Sequence, residues 1–334
     1  MPSVSVVVPV FRSGTTLLEL VTRVRAALGA AAGISAFEVI LVEDDGQDGT
    51  WAVIEQLAGG DAAVRGLRLS RNYGQHNALL CGIRAAQHDV VVTLDDDLQN
   101  PPEEIPTLLA KLEEGYDVVY GTPDREQHGF MRDQASRITK IALQSTMGAE
   151  TARHVSAFRA FRTHLRRAFE SYRSPFVSID ALLTWGTTRF THVTVRHDPR
   201  QAGVSHYTLR KLITHALNMM TSFSQVPLQL ASVTGFAFTL FGLAVLSYVL
   251  GVYVVLGRAV PGFAFLASIV ALFSGAQLFA IGVIGEYLAR MHFRTMERPP
   301  YVVVQTSDSL READHPDAGG EAPSACQRGN RLEA

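Results

Sequence analysis

Two long uncharged segments constrain this chain more strongly than any other feature. Residues 230–256 and 259–285 contain no Asp, Glu, Lys or Arg, and Arg258 stands alone between them. Each segment exceeds the roughly 20 helical residues that cross a hydrocarbon core of about 30 Å. Because the joint between them is short, the pattern predicts a transmembrane helical hairpin. A pair of buried core helices is the alternative, but apolar runs of this length rarely fit a soluble domain.

Basic residues flank the predicted hairpin on both sides. Arg210 and Lys211 precede it, and Arg290, Arg294 and Arg298 follow it. Basic loops favour the cytoplasmic side of a membrane. The sequence therefore predicts a multi-pass protein of the cytoplasmic (inner) membrane with two helices. The large N-terminal domain and both termini lie in the cytoplasm, and the lipid bilayer is a partner.

The first 130 residues alternate between strand and helix signals. Strands are predicted at residues 4–10, 38–42, 64–69 and 89–94, and helices at residues 16–28, 50–57 and 77–86, with another opening at Pro101. Further along, the pattern predicts a helix over residues 174–185, a strand over 190–197 and a short strand over 301–304. This repetition is typical of an α/β fold in which helices cover both faces of a mostly parallel sheet.

Composition excludes several classes of protein. A formal net charge of −2 over 334 residues argues against a nucleic-acid-binding protein. The chain has two cysteines, Cys81 and Cys326, which are too few for a disulfide scaffold or a cysteine zinc cluster. The N-terminus lacks a basic stretch followed by an apolar core, so no signal peptide is expected.

Acidic residues follow two of the predicted strands. Asp44 ends the second strand, and Asp95, Asp96 and Asp97 end the fourth. Ligands of open α/β sheets bind outside the carboxyl ends of the strands. A divalent cation would relieve the repulsion among three successive carboxylates, and Asp95 and Asp97 could reach one ion from a turn. For an isolated triplet, a solvated loop that caps a helix is the alternative.

Three motifs resemble a known family. They are Val-Pro-Val-Phe at 8–11, Arg-Asn-Tyr-Gly-Gln-His at 71–76 and Leu-Asp-Asp-Asp-Leu-Gln-Asn-Pro-Pro-Glu-Glu at 94–104. They resemble the GT-A-fold glycosyltransferases of family two, and within it the polyprenyl-phosphate branch. That branch includes dolichol-phosphate mannose synthases, bactoprenol glucosyltransferases and the undecaprenyl-phosphate formamido-arabinose transferase. The resemblance extends over roughly residues 1–305 and includes the hairpin.

The resemblance implies a fold and an activity. The fold is a GT-A catalytic domain, Rossmann-like with a mostly parallel sheet, followed by the two-helix transmembrane hairpin. The activity is the metal-dependent, inverting transfer of a sugar from a nucleotide-sugar donor to an undecaprenyl-type polyprenyl phosphate at the cytoplasmic membrane face. A homo-oligomer, a tetramer by resemblance, is also implied.

The expected domain layout follows from the same patterns. It comprises a cytoplasmic GT-A domain at 1–207, a juxtamembrane amphipathic helix at 208–225, transmembrane helices at 228–256 and 260–288, a cytoplasmic segment with a short strand at 289–306, and a disordered tail at 307–334.

The resemblance also implies roles for the residues of the donor site. Asp44, with Pro9 and Phe11 beside it, would hold the nucleotide base, and Asp96 would face the nucleotide. Mg²⁺ or Mn²⁺ on the diphosphate would be held by three side chains, Asp95, Asp97 and Gln99.

A second set of residues resembles the family's phosphate-binding positions. Arg132 and Ser136, together with Asp97, are the candidate catalytic residues. The acceptor phosphate would be bound by Arg132, Ser136, Arg200, Ser205, Tyr207 and Lys211. Arginine matches phosphate bidentately, which strengthens such contacts. Without the motif, a solvated helix face would be the better explanation of Arg132.

The sequence departs from the family pattern at several positions. Phe11-Arg12-Ser13 replaces the usual Tyr-Asn-Glu, and Asp44-Asp45-Gly46 replaces Asp-Gly-Ser. Arg153 occupies the position of an aspartate that is a proposed catalytic base in relatives. A phosphate monoester has a second pKa near ~6, so the acceptor is largely ionised at neutral pH and needs little proton removal. Positioning and charge neutralisation can then supply the catalysis.

Two rival functions remain open at this point. A processive polysaccharide synthase would carry a Gln-x-x-Arg-Trp motif, but neither Trp51 nor Trp185 follows an arginine. A catalytically silent membrane scaffold that binds lipid or nucleotide is supported by Arg153, whereas the intact Asp95 and Asp97 argue against it.

Overall fold

The computed structural model describes residues 2–31, 33–123, 154–198, 226–256 and 262–307. Its strands are β1 (Val4–Val10), β2 (Phe37–Glu43), β3 (Val64–Leu69), β4 (Val90–Thr93), β5 (Val118–Pro123), β6 (Arg159–Arg162), β7 (Phe190–Val195) and β8 (Val303–Thr306). Its helices are α1 (Leu17–Ala30), α2 (Thr50–Gly60), α3 (Gln75–Ala85), α4 (Ile105–Glu113), α5 (Ile179–Leu183), α6 (Val226–Leu256) and α7 (Phe263–Thr295). Two 3₁₀ turns lie at Pro102–Glu104 and Thr163–Phe169.

The eight strands form one mixed sheet in the order β7-β5-β6-β4-β1-β2-β3-β8. Among the described strands, four pairings are parallel, as predicted for most of the sheet, and join β1 to β2, β1 to β4, β2 to β3, and β5 to β7. The other three are antiparallel, because β6 lies between β4 and β5 in the opposite direction and β8 joins the far edge. The carboxyl ends of β1, β2 and β4 therefore share one edge of the sheet.

The core lies on both faces of β1, whose seven residues are all buried. Val6, Val8 and Val10 pack against α1, α2 and α4, while Val7 packs against α3. Helix α3 approaches the sheet closely at Gly82, where an added Cβ would lie 2.4 Å from Val7 Cγ1. This close approach fixes the first turn of α3 beside the carboxyl edge.

Several predicted boundaries are corrected by the structure. Residues 174–185 are helical only over Ile179–Leu183, because Pro175 restricts Ser174 to extended conformations and Ser178 caps the helix by accepting a bond from Ala181 N. The helix predicted to open at Pro101 begins as a 3₁₀ turn and becomes α-helical at Ile105. The strand predicted to reach His197 ends at Val195.

Helices α6 and α7 are long and apolar enough to cross a membrane. Their candidate spans are Val226–Val252 and Leu272–Phe293, with mean hydropathies of 2.0 and 1.4. The apolar stretch that defines each span is 0% buried among the described residues, which favours a membrane hairpin over a pair of core helices. Phe273 packs on Phe238 and Phe241 at centroid distances of 5.5 and 6.3 Å, which joins the helices.

The chain returns to the sheet after α7. Helix α7 ends at Thr295, and β8 then pairs antiparallel with β3 as the eighth strand. Gly66 N donates to Ser307 Oγ at 2.8 Å, which secures the end of β8. The short strand predicted at 301–304 therefore exists, at Val303–Thr306, and it belongs to the main sheet.

Candidate active site at the carboxyl edge of the sheet

The loops that follow β1, β2 and β4 meet at one edge and share an unusual backbone. Four non-glycine residues in them have positive φ: Arg12 (57°), Asp45 (52°), Gln47 (53°) and Leu98 (58°). This conformation is costly for side chains other than glycine and is concentrated at functional sites in proteins. Leu98 is held in it by burial, since its side chain is 1% exposed.

Asp95 is oriented by a side chain from α3. Gln75 Nε2 donates to Asp95 Oδ1 at 2.7 Å, and both residues lie at the carboxyl edge. One carboxylate oxygen is thereby fixed, and Asp95 itself is only partly buried. Metal-binding carboxylates are commonly oriented by a hydrogen bond of this kind from a neighbouring residue that does not itself bind the metal.

Asp97 and Gln99 belong to the same turn after β4. Gln99 N donates to Asp97 Oδ1 at 3.2 Å, and both side chains are partly exposed. Asp95, Asp97 and Gln99 thus offer hard oxygen donors, the type that Mg²⁺ and Mn²⁺ prefer. Among the described residues no group of three His, Cys, Asp or Glu could hold a metal alone. A metal that shares its coordination with a diphosphate needs only one or two carboxylates, so the residues fit.

Asp96 points away from this pair, towards the loop after β1. Its Oδ2 accepts a bond from Phe11 N at 3.2 Å, and its carbonyl accepts one from Thr16 Oγ1 at 2.8 Å. Burial raises the pKa of Asp96 above its ordinary value, although hydrogen bonds from Ser13 and Phe11 oppose this rise. Asp96 therefore ties the acidic turn to Phe11, whose ring is exposed.

Asp44 is buried and links two loops. Its carboxylate accepts bonds from Tyr73 N at 2.7 Å and Gly74 N at 2.8 Å, and the residue is 3% exposed. Burial raises the pKa of Asp44, while these two backbone bonds oppose the rise. Both oxygens already hold the backbone ahead of α3, so any contact with a base must use their remaining lone pairs.

A buried polar network supports the acidic turn from β4 and β6. Arg159 Nε donates to Thr93 Oγ1 at 3.1 Å, and its Nη1 pairs with Asp180. Tyr120 Oη donates to the same Asp180 oxygen at 3.0 Å. Thr93 stands two residues before Asp95, so this network fixes the strand end from which the acids project.

The end of β7 is fastened to the same turn. Asp198 N donates to Gln99 O at 2.8 Å, and His197 Nδ1 lies 3.3 Å from Asn100 Oδ1. The last described residue before the 199–225 gap thus contacts the predicted metal turn directly.

The predicted site residues divide into two groups. The structure brings Pro9, Phe11, Asp44, Asp95, Asp96, Asp97 and Gln99 together at the carboxyl edge. The remaining ones, Arg132, Ser136, Arg200, Ser205, Tyr207 and Lys211, lie outside the described residues, as does Arg153.

Two residues at this edge were missed by the sequence reasoning. Gln75 belongs to the motif at 71–76, which had been given no role. Arg12 was noted only as a departure, yet its Nε donates to Gly46 O at 3.0 Å and its guanidinium lies 5.1 Å from the Phe11 ring centroid. Positive φ at Arg12 could not be read from sequence because the residue is not glycine.

This architecture defines a class: a mixed α/β domain with an acidic carboxyl edge, joined to two membrane-length helices. The model of the family "Glycosyl transferase family 2" matches residues 5–172. The chain belongs to this family, and it is a glycosyltransferase with a GT-A fold, as predicted.

Curated relatives match nearly the whole chain. An undecaprenyl-phosphate 4-deoxy-4-formamido-L-arabinose transferase from Shewanella sediminis is 35% identical over 311 residues, which cover 90% of this chain and 91% of that protein. The protein of the same name from Yersinia pestis is 34% identical over 303 residues, covering 90% and 92%. The similarity therefore includes the acidic turn and both apolar helices.

Solved structures are more distant. Glucosyl-3-phosphoglycerate synthase from Mycobacterium tuberculosis, in complex with Mn²⁺, UDP and phosphoglyceric acid, superposes with a TM-score of 0.48 and 17% identity, covering 66% of this chain and 76% of that one. TarS residues 1–349 from S. aureus superpose with a TM-score of 0.42 and 18% identity, covering 67% and 73%.

Proposed function

We propose that this protein transfers a sugar from a nucleotide-diphosphate sugar to a polyprenyl phosphate, with inversion, at the cytoplasmic membrane face. The observation that carries the proposal is the similarity to undecaprenyl-phosphate sugar transferases over 90% of the chain. That similarity spans both the acidic edge, where a donor diphosphate can be held, and the helices that bring the chain to a lipid acceptor.

The donor is bound at the carboxyl edge. Asp95 and Asp97, with Gln99, would hold Mg²⁺ or Mn²⁺, and a divalent cation bound there would supply charge neutralisation for the leaving diphosphate. Phe11 and Pro9 border the base, and Asp96 fixes the Phe11 loop through its bond to Phe11 N. Asp44 acts on the base side by holding Tyr73 and Gly74 in place.

The acceptor phosphate is bound by residues that follow β5 and β7. Arg132 and Ser136 contact the transferring phosphates, and the loop with Arg200, Ser205 and Tyr207, extended by Lys211, binds the acceptor. The hydrogen bond that Asp198 N donates to Gln99 O supports this assignment. It anchors the chain at the metal turn two residues before Arg200. The ionised phosphate attacks without a strong base, which makes Arg153 compatible with activity.

The membrane arrangement belongs to the proposal too. The domain at 1–207, the amphipathic helix at 208–225, the segment at 289–306 and the tail at 307–334 are placed in the cytoplasm. The spans are α6 and α7, and the connection at Arg258 faces outwards. The resemblance implies a homo-oligomer, a tetramer, and we extend that state to this chain.

The experiment uses the full chain in lipid nanodiscs with a panel of nucleotide-sugars. Release of nucleoside diphosphate should depend on both polyprenyl phosphate and a divalent cation, and excess EDTA should abolish it. A silent scaffold would bind a donor or lipid without turnover under any of these conditions, and that result would overturn the proposal.

Arg200→Ala separates acceptor from donor binding. Each charge-assisted bond to a partly desolvated phosphate contributes about 1.5–3 kcal/mol. Acceptor kcat/KM should therefore fall by about one to two orders of magnitude, while donor affinity measured without lipid stays unchanged. Arg167→Ala is the matched control, since Arg167 is exposed at the opposite edge. Loss of donor binding with normal acceptor kinetics would contradict the assignment of this loop.

A further inference from the structure

Four residues at or just before the start of α3, namely Tyr73, Gly74, Gln75 and Asn77, contact either the acidic edge or the segment that follows α7. Tyr73 N and Gly74 N hold Asp44, and Gln75 orients Asp95. Asn77, two residues after Gln75, contacts a different part of the chain. Its amide Nδ2 donates to Pro300 O at 2.6 Å and to Pro175 O at 3.2 Å, and Asn77 is 6% exposed.

Both acceptors of Asn77 belong to the region that meets the membrane helices. Pro300 comes five residues after α7 ends at Thr295. Pro175 precedes Phe176, whose ring packs on Phe293 of α7 at 5.9 Å between centroids and lies 4.6 Å from the Arg290 guanidinium. We call Asn77, Pro175 and Pro300 the anchor contact.

The connection from α7 to the anchor contact is short and stiff. Five residues span at most about 18 Å when fully extended. Pro299 and Pro300 have fixed φ angles, which limits the conformations of this segment further. The distance between the end of α7 and the first turn of α3 is therefore set within narrow limits. The hydrogen bond from Asn77 to Pro300 completes this connection.

We infer that Asn77 is a positioning residue that holds the acidic edge at a fixed place relative to the membrane end of α7. The inference rests on the proposed function for its acceptor, a phosphate carried by a membrane lipid. Such a phosphate is confined to the membrane surface, so the donor must be brought to it by the protein. Displacement of a reacting group by about 1 Å can cost about 10²-fold in rate. Asn77 acts through Gln75 and Pro300 and touches no substrate.

The test compares Asn77→Leu with Gln87→Leu in the full chain in nanodiscs. Both changes replace an amide by leucine near one end of α3, but Gln87 is exposed at the edge opposite the site. Two acceptors are used: a long-chain polyprenyl phosphate embedded in the nanodisc, and a short, water-soluble prenyl phosphate that diffuses to the site. Donor affinity and hydrogen exchange of the β8 amides are measured on the same samples.

Asn77→Leu should lower kcat/KM for the embedded acceptor about tenfold or more, while kcat/KM for the soluble acceptor and the donor affinity change less than about twofold. Exchange of the β8 amides should accelerate, and Gln87→Leu should match the wild type throughout. Equal loss with both acceptors would overturn the inference, because Asn77 would then merely support the site. Unchanged transfer would overturn it too. A wild type inactive on both acceptors would instead overturn the proposed function on which the inference rests.

Discussion

Three successive aspartates take three different partners at the carboxyl edge. Asp95 accepts from Gln75, Asp96 from Phe11 N and Asp97 from Gln99 N. Splitting the partners in this way separates neighbouring charges and reduces their repulsion. Because Asp96 is bonded to the loop after β1, Asp95 and Asp97 are the two acids of the turn that could bind a cation.

Asp95→Asn and Asp97→Asn should each lower transfer by about 10²–10³-fold, the scale of losing one group that stabilises developing charge. Folding should be preserved, because both side chains are partly exposed. The measurement is the initial rate against divalent cation concentration. Asp89→Asn is the control: it is exposed at the opposite edge, where its carboxylate accepts bonds from Ser3. Full activity of the Asp95→Asn or Asp97→Asn variant at ordinary cation concentrations would show that the acids do not hold the metal.

Cys81 should be chemically inert in the folded protein. Burial raises the pKa of its thiol to about 12, although the charge of Arg84 lowers it slightly. At pH 8 almost none of the thiol is ionised, and the thiolate is the reactive form. In a Cys326→Ser background, iodoacetamide should label Cys81 only after denaturation. Rapid labelling of the folded chain at pH 8 would contradict this reading of the α3 environment.

At the scale of elements, the sequence predicted what local pattern determines. The β-branched run at residues 4–10 and the run at 64–69 match β1 and β3 at both ends. The insertion of β6 between β4 and β5 was not predictable, since β6 pairs with partners 66 and 39 residues away at Arg159. Nothing in its own four residues specifies that long-range pairing.

Side-chain contacts in the site were even less accessible to sequence reasoning. The acids at strand ends could be located from the periodicity. The hydrogen bonds from Gln75 to Asp95 and from Asn77 to Pro300 depend on how α3 packs on the sheet. Trp185 is another example, since it is 50% exposed and packs edge-on against Tyr172 at 5.6 Å. Its sequence neighbours do not reveal that α5 ends two residues earlier.

The packing of α3 on the sheet gives a stability prediction. Gly82→Ala places a Cβ 2.4 Å from Val7 Cγ1 and 3.1 Å from Val42 Cγ2. Overpacking of this kind costs about 1–3 kcal/mol, and about 2–4 °C of Tm follows for each kcal/mol in a domain of this size. Gly59→Ala is the control, because Gly59 is exposed on α2 with no heavy atom within 4 Å. Thermal unfolding should separate the two variants, and an equal or higher Tm for Gly82→Ala would contradict this packing.

At the scale of the whole molecule, the membrane hairpin is inserted between parts of one sheet. Strands β1 to β7 precede α6 and α7, and β8 follows them to pair with β3. The chain therefore runs from the α/β domain into the hairpin and then returns to the same domain. In the proposed membrane arrangement, both ends of the hairpin therefore lie on the side of the catalytic domain.

The topology prediction uses the native cysteines. Because Cys81 is buried, Cys326 in the C-terminal segment serves as the reporter of that end. A membrane-impermeant maleimide should label Cys326 only in inverted vesicles, whereas Arg258→Cys in a Cys326→Ser background should be labelled in intact cells. Labelling of Cys326 from outside would reverse the orientation.

The central claim is that a polyprenyl phosphate receives the sugar, and mass spectrometry of the lipid tests it most directly. The wild-type chain, undecaprenyl phosphate in nanodiscs, a divalent cation and each of a panel of nucleotide-sugars are incubated together. The account predicts, for at least one donor, a lipid product heavier by a single glycosyl residue, absent with EDTA and formed about 10²–10³-fold more slowly with Asp95→Asn. A lipid of unchanged mass with every donor, while a nucleotide-sugar is bound or is hydrolysed to free sugar, would contradict it.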